Sequence, residues 1–252
     1  MQKSPFDRGC VIRYIPTGQE ADRLANFQRG ELEESLQAIC EHGFCVIPGY
    51  IPPSEMAEMS TAYDRAVGGT SDENIHTGSS STRVEGMLEV ESLFAPLYRG
   101  EILHAGARQV IGGPFKLSCF HARTLHSRCE MGAFHIDFRE DERPFPLLSF
   151  IYMIDEFSDS NGATRFVAGT QHLKSRPSPA EQQDCGTQSV AACGPAGSVI
   201  IFDGRVWHAH GANTGPMTRR SLQGSFIPAT ETSAMNFDTT IFDKNLRGSR
   251  EI

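Results

Sequence analysis

Two short clusters constrain this chain more than any other feature: His135-Ile136-Asp137 and, roughly seventy residues downstream, Trp207-His208-Ala209-His210-Gly211-Ala212-Asn213. Together they offer two imidazoles and one carboxylate to a single metal ion. Successive strand residues point to opposite faces, so residues two apart share one face, and His135 and Asp137 at the end of an extended segment grip an ion from the same side. The third ligand must then come from a second strand, and the fold has to bring two distant segments face to face.

Alone, an H-x-D tripeptide in a chain with nine histidines and 31 acidic residues reads more readily as a solvated turn. Arg219-Arg220-Ser221 changes the reading, because it opens a segment with strand character. By period two, Arg219, Ser221, Gln223 and Ser225 share one face, while Leu222, Gly224 and Phe226 share the other. An arginine among small polar side chains on an inward face suits a planar anion, since guanidinium binds a carboxylate through two parallel charge-assisted hydrogen bonds. Two histidines, one carboxylate and a carboxylate clamp suit a non-haem Fe(II) site served by 2-oxoglutarate.

Four segments in order resemble the phytanoyl-CoA dioxygenase family of Fe(II)/2-oxoglutarate-dependent oxygenases. They are the opening strand around Glu41-His42-Gly43-Phe44-Cys45-Val46-Ile47, the metal motif Phe134-His135-Ile136-Asp137-Phe138, the segment from Asn161-Gly162-Ala163 to Gln171-His172, and Trp207-His208 with Arg219 eleven positions beyond His208. The resemblance runs from about Leu32 to Pro228. It implies that His135, Asp137 and His208 are the iron ligands, and that Arg219, with Ser221 beside it, holds the distal carboxylate of 2-oxoglutarate.

Two departures stand out. Ala168-Gly169-Thr170-Gln171-His172 replaces the family's Pro-Gly-Ser-His and shifts a turn, and His210 stands where relatives carry a small residue. His210 shares a face with His208 and reads as a neighbour of the ligands, a substrate contact or an alternative third ligand. His121, Arg123 and Arg139 are the other candidates for meeting a polar or carboxylated substrate, with surface ion pairs the competing reading for each arginine.

The resemblance implies a dioxygenase that consumes O2 and 2-oxoglutarate, releases succinate and CO2, and most commonly hydroxylates a small-molecule substrate. Because Asp137 fills the place that related halogenases leave to halide, chlorination is disfavoured; desaturation, epoxidation and ring closure use the same residues. A jelly-roll metal-dependent hydrolase or lyase, or a catalytically inactive binding module, is the competing class, and neither needs a buried carboxylate clamp at the position of Arg219.

With 252 residues and 39% hydrophobic content the chain reads as a single domain spanning 1–252. No apolar run approaches the roughly 20 residues that cross a bilayer, and the first residues lack an export core, so the expected location is cytoplasmic. A net charge of −8 and no Lys/Arg run offer no footing for nucleic acid or an anionic membrane. Seven cysteines without C-x-x-C spacing exclude a disulfide framework and a zinc ribbon. The oligomeric state is not readable.

Coarse periodicity divides the domain into a helical N-terminal part (28–111), a core of short strands (112–228) and a polar tail (229–252) expected to pack over the barrel mouth. Leu32, Leu36 and Ile39 lie at helical spacing; Ser54 is placed to cap a second helix striped by Met56, Met59, Tyr63 and Ala66; residues 89–111 return to helical character, with Leu93, Leu97, Ile102, Leu103 and Ala107. The polar stretch 68–83 is expected to be a mobile lid or linker. Helices first and many short strands after imply an α+β fold: a double-stranded β-helix, the jelly-roll or cupin-like core, with flanking N-terminal helices.

Overall fold

The computed structural model describes residues 29–88, 90–138 and 143–232. Helix α1 (Arg29–His42) leads into β1 (Phe44–Ile47), and the turn between them requires Gly43. Its φ is +87°, and a side chain there would run into Gln171 and Val206 at under 3 Å. After a 3-10 turn (Pro53–Glu55) comes α2 (Met56–Gly68), which buries Met59, Ala62, Tyr63 and Ala66 as the apolar stripe predicts. Ser54 does not cap it. The Pro52-Pro53 pair winds a tight 3-10 turn first, so the N-cap falls on Glu55, which makes no side-chain cap hydrogen bond.

One further expectation is corrected. Residues 68–83 do not form a structureless loop: β2 (Ile75–Thr77) and β3 (Ser81–Val84) make a hairpin that pairs with β4 (Phe115–Leu125). The helical character of 89–111 is carried by two α-helices. Within its described residues, α3 (Ala95–Arg99) and α4 (Glu101–Ile111) are separated at Gly100, whose ψ of 136° is extended and which lies against the Tyr50 hydroxyl where any Cβ would collide.

The remaining strands are β5 (Leu148–Met153), β6 (Thr164–Val167), β7 (Val190–Ala191), β8 (Val199–Asp203), β9 (Trp207–His210) and β10 (Arg219–Pro228), with α5 (Pro179–Gln188) between β6 and β7. They form a seven-stranded sheet in the order β1-β8-β5-β10-β4-β3-β2 and a three-stranded sheet in the order β7-β6-β9. Every strand pairing among the described residues is antiparallel. This is the jelly roll, with α1 to α4 on one flank.

Each face of the large sheet has its own layer. On the helix side, Phe120, Ala122, Tyr152, Leu222 and Phe226 join Met59, Tyr63, Ile102 and Leu103 in one buried cluster. Burying one such side chain contributes about 1.5–3 kcal/mol. Between the sheets, Phe44, Ile151, Met153, Ile200 and Phe202 meet Ala163, Phe166 and Ala191, and Phe44 stacks on Phe166 with ring centroids 4.4 Å apart. This apolar floor closes one end of the space between the sheets and leaves the other open as a cavity. No helix among the described residues is long and apolar enough to cross a membrane, and the six described cysteines are free thiols. The tail beyond 232 and Cys10 lie outside the described residues.

Candidate metal centre and anion pocket

His135 and His208 are 73 residues apart in sequence and directly opposite in space. Their backbones exchange both hydrogen bonds, at 2.9 and 3.0 Å, which joins the segment carrying the H-x-D motif to β9. Ligand atoms of His135, Asp137 and His208 all lie within 4.8 Å of one another, close enough for one ion. His208 Nε2 is 3.3 Å from Asp137 Oδ1.

The hydrogen bonds around these groups fix which atoms face the space between them. His135 Nδ1 donates to the Ala133 carbonyl at 3.0 Å and His208 Nδ1 to the Val206 carbonyl at 2.9 Å. With Nδ1 carrying the proton, both rings present Nε2 as a lone-pair donor, the arrangement by which metal-binding histidines are held in one tautomer. Burial, then His208, pushes the His135 pKa down to about 4, so it stands neutral and ready to bind a cation. For Asp137, burial pushes the carboxyl up, but the opposing pull of His208 and His135 and the Ser149 hydroxyl bond leaves it below its ordinary value. Two imidazole nitrogens and one carboxylate suit a divalent iron site.

The triad opens into a cavity of about 660 Å³ between the sheets. Arg219 lines it from the start of β10, 3% exposed, with Nε and Nη1 buried and without a hydrogen-bond partner. Burial, reinforced by Arg123, pushes its pKa down to about 9. The neighbouring Arg220 points the other way, where it holds Asp155 at 2.7 Å and Asp64 at 2.8 Å, as the alternation along β10 predicts.

His121, Arg123 and His210 also line the cavity. Burial, then Arg83 and Arg123, lowers His121 to about 3; Arg123 donates Nε to the Ser81 hydroxyl at 3.2 Å. His210 lies outside the metal set; its Nδ1 donates to the Gly211 carbonyl and its ring packs on Gly132. Ser221 shares the Arg219 face but not the cavity wall, being fully buried with its hydroxyl donating to the Arg123 carbonyl and accepting from Gln223. Arg139 lies outside the described residues. Asn213 ties down the turn after β9 through His126 and Met217.

Sequence reasoning missed the hairpin's share of the wall. His76, Thr77, Ser81 and Arg83 all face the cavity, and Arg83 pairs with Glu85 at 2.9 Å. Arg83 lies directly opposite Arg123 across β3 and β4. The alternation of Ser81 and Arg83 toward one face was the available signal, masked by the lack of apolar residues between them.

A sequence model of the phytanoyl-CoA dioxygenase family matches residues 39–221. Among characterised proteins, the chain is 28% identical over 240 residues to the dioxygenase trt7 of Aspergillus terreus, covering 84% of this chain and 79% of that one. It is 25% identical over 218 residues to the multifunctional dioxygenase ausE of Penicillium brasilianum, covering 77% and 72%. Among solved structures, the epimerase SnoN in complex with Fe3+, alpha ketoglutarate and nogalamycin RO superposes with a TM-score of 0.65 at 20% identity, over 81% of this chain and 86% of that one. HygX from Streptomyces hygroscopicus with nickel, 2-oxoglutarate and hygromycin B bound gives 0.62 at 16%, over 86% and 94%.

Proposed function

The chain belongs to the phytanoyl-CoA dioxygenase family of iron- and 2-oxoglutarate-dependent enzymes, and from that premise we propose that His135, Asp137 and His208 hold the iron while Arg219 holds the distal carboxylate of 2-oxoglutarate. The observation that carries the reading is the meeting, in one cavity, of a two-histidine, one-carboxylate set with a buried arginine whose Nε and Nη1 lack a hydrogen-bond partner among the described residues. A hydrolase or lyase using the same metal set has no need of that arginine.

Iron, 2-oxoglutarate and O2 together supply the oxidising chemistry, with succinate and CO2 released. The protein's own share is placement and protection. The carbonyls of Ala133 and Val206 keep both imidazoles aimed at the ion, and Ser149 does the same for Asp137. Arg219 would hold the distal carboxylate of the cosubstrate and so limit it to one orientation in the cavity. The apolar floor under the cavity keeps water from the reacting atoms.

The substrate is a small molecule that enters beside His121, Arg123 and His210. Arg83 is already paired with Glu85, and Arg219 is assigned to the cosubstrate, which leaves Arg123 to meet a polar or anionic group on the substrate. Fe(II) reconstitution without oxygen, a metabolite panel, then oxygen with succinate measured, tests the reading. Succinate that depends on Fe(II) and on one class of panel compound is expected. Metal-dependent conversion of a panel compound without 2-oxoglutarate would favour the hydrolase or lyase instead.

A further inference from the structure

A buried guanidinium normally finds a carboxylate, because an unpaired charge away from water is costly. Arg219 has none within ion-pairing distance among the described residues. The nearest acid that influences it, Asp155, is held by Arg220 through Nε at 3.1 Å, Nη2 at 2.7 Å and the backbone N–H at 2.7 Å. What Arg219 has is the ring of Phe157, whose centroid lies 3.7 Å from its guanidinium carbon. That distance is well inside the range at which an aromatic face attracts a cation.

Phe157 is itself firmly placed. It is 1% exposed, sits on the connection between β5 and β6, and exchanges both backbone hydrogen bonds with Gly194, at 2.9 and 3.0 Å. The chemical difference between the two kinds of partner matters here. A carboxylate would neutralise Arg219 by occupying the N–H donors that a ligand needs, whereas a ring face supports the charge and occupies none of them.

We propose that Phe157 is a positioning residue for the cosubstrate: its ring carries the charge of Arg219 and fixes the guanidinium plane, leaving the N–H groups available to the distal carboxylate of 2-oxoglutarate. The inference rests on the reading of Arg219 as the carboxylate clamp. It also assigns the aromatic ring a selective role, for cosubstrates that bring a second carboxylate.

The test uses two probes on the full-length Fe(II)-loaded protein without oxygen: 2-oxoglutarate, and 2-oxopentanoate, which has the same chain length but no distal carboxylate. Calorimetry gives the affinity for each in the parent protein, in Phe157→Leu, and in a series with progressively fluorinated phenylalanine at 157, which drains the ring face of negative potential at nearly constant shape. The expected result is a loss of 2-oxoglutarate affinity of about 3- to 30-fold in Phe157→Leu. A graded loss should follow fluorination, with 2-oxopentanoate and Fe(II) binding unchanged throughout. Should Phe157→Leu fail to fold, the fluorinated series decides alone. Equal weakening of both acids would assign the ring a packing role only and overturn the proposal, as would a preference for 2-oxoglutarate that fluorination leaves intact. A parent protein that binds both acids equally would instead remove the reading of Arg219 itself.

Discussion

On the helix side of the seven-stranded sheet, Phe120, Ala122, Tyr152, Leu222 and Phe226 are buried in one apolar cluster with α2 and α4, whereas their sequence neighbours Cys119, His121, Arg123, Gln223 and Ser225 face the cavity. The same strands thus carry two surfaces with opposite energetics. The outer one contributes burial. The inner one carries ionisable groups whose charge burial disfavours: His121 is driven to about 3 and stays neutral, and Arg219 is left with Nε and Nη1 unpartnered among the described residues. Such a surface persists only where the rest of the structure holds it in place. Stability and binding should therefore separate by face, and substitutions can break that separation.

The largest effect is expected at the metal. Asp137→Ala should lower Fe(II) affinity by more than the ~100-fold typical of disturbing a group behind a ligand and abolish succinate formation, while the melting temperature of the metal-free protein holds or rises. A metal-free variant that no longer folds would show that the inner face carries structure after all. Phe226→Ala, across the sheet, should cost about 3–5 kcal/mol of stability in denaturant titration and leave Fe(II) affinity of the folded protein close to that of the parent.

Arg219→Ala should weaken 2-oxoglutarate binding by about 2–5 kcal/mol, or roughly 30-fold to several thousand-fold, without loss of Fe(II) binding. Arg220→Ala, one residue on and facing outward, should leave the cosubstrate alone and lower the melting temperature by releasing Asp155. Swapped phenotypes for these two arginines would mean that the face assignment along β10 is reversed. The smallest effect concerns Ser149→Ala, which removes the hydroxyl bonded to Asp137 and should reduce Fe(II) affinity by ~10- to 100-fold. A Ser149 variant as impaired as Asp137→Ala would make the hydroxyl part of the metal site rather than its support.

Much of this was legible because burial writes itself into sequence as period. The stripe Met59, Tyr63 and Ala66 marks α2, and the alternation from Arg219 to Phe226 separates the two faces of β10 before any coordinates are known. The candidate metal set was legible for a different reason, since few side-chain types bind iron and their spacing is set by strand geometry. The signal failed wherever an element lacks an apolar face. The β2–β3 hairpin turns His76 and Arg83 toward a polar cavity, so its alternation is polar against polar and reads as a loop. Helix α5 escaped notice because, of its ten residues, only Cys185 is buried; a Ser178–Glu181 capping box was its one local mark. At the break, Gly100 lies against the Tyr50 hydroxyl, a contact fifty residues away that no local pattern encodes.

The hairpin is the last element of the large sheet on its side, attached through four residue pairs between β3 and β4, and none of the three proposed iron ligands lies on it or on β4. Insertions or exchanges in it reshape one wall of the cavity without passing through a segment that carries a ligand. Evolution can therefore alter what the enzyme accepts by editing a peripheral ribbon, while the oxidative machinery is inherited unchanged, and a grafted hairpin from a relative is the natural starting point for redirecting it.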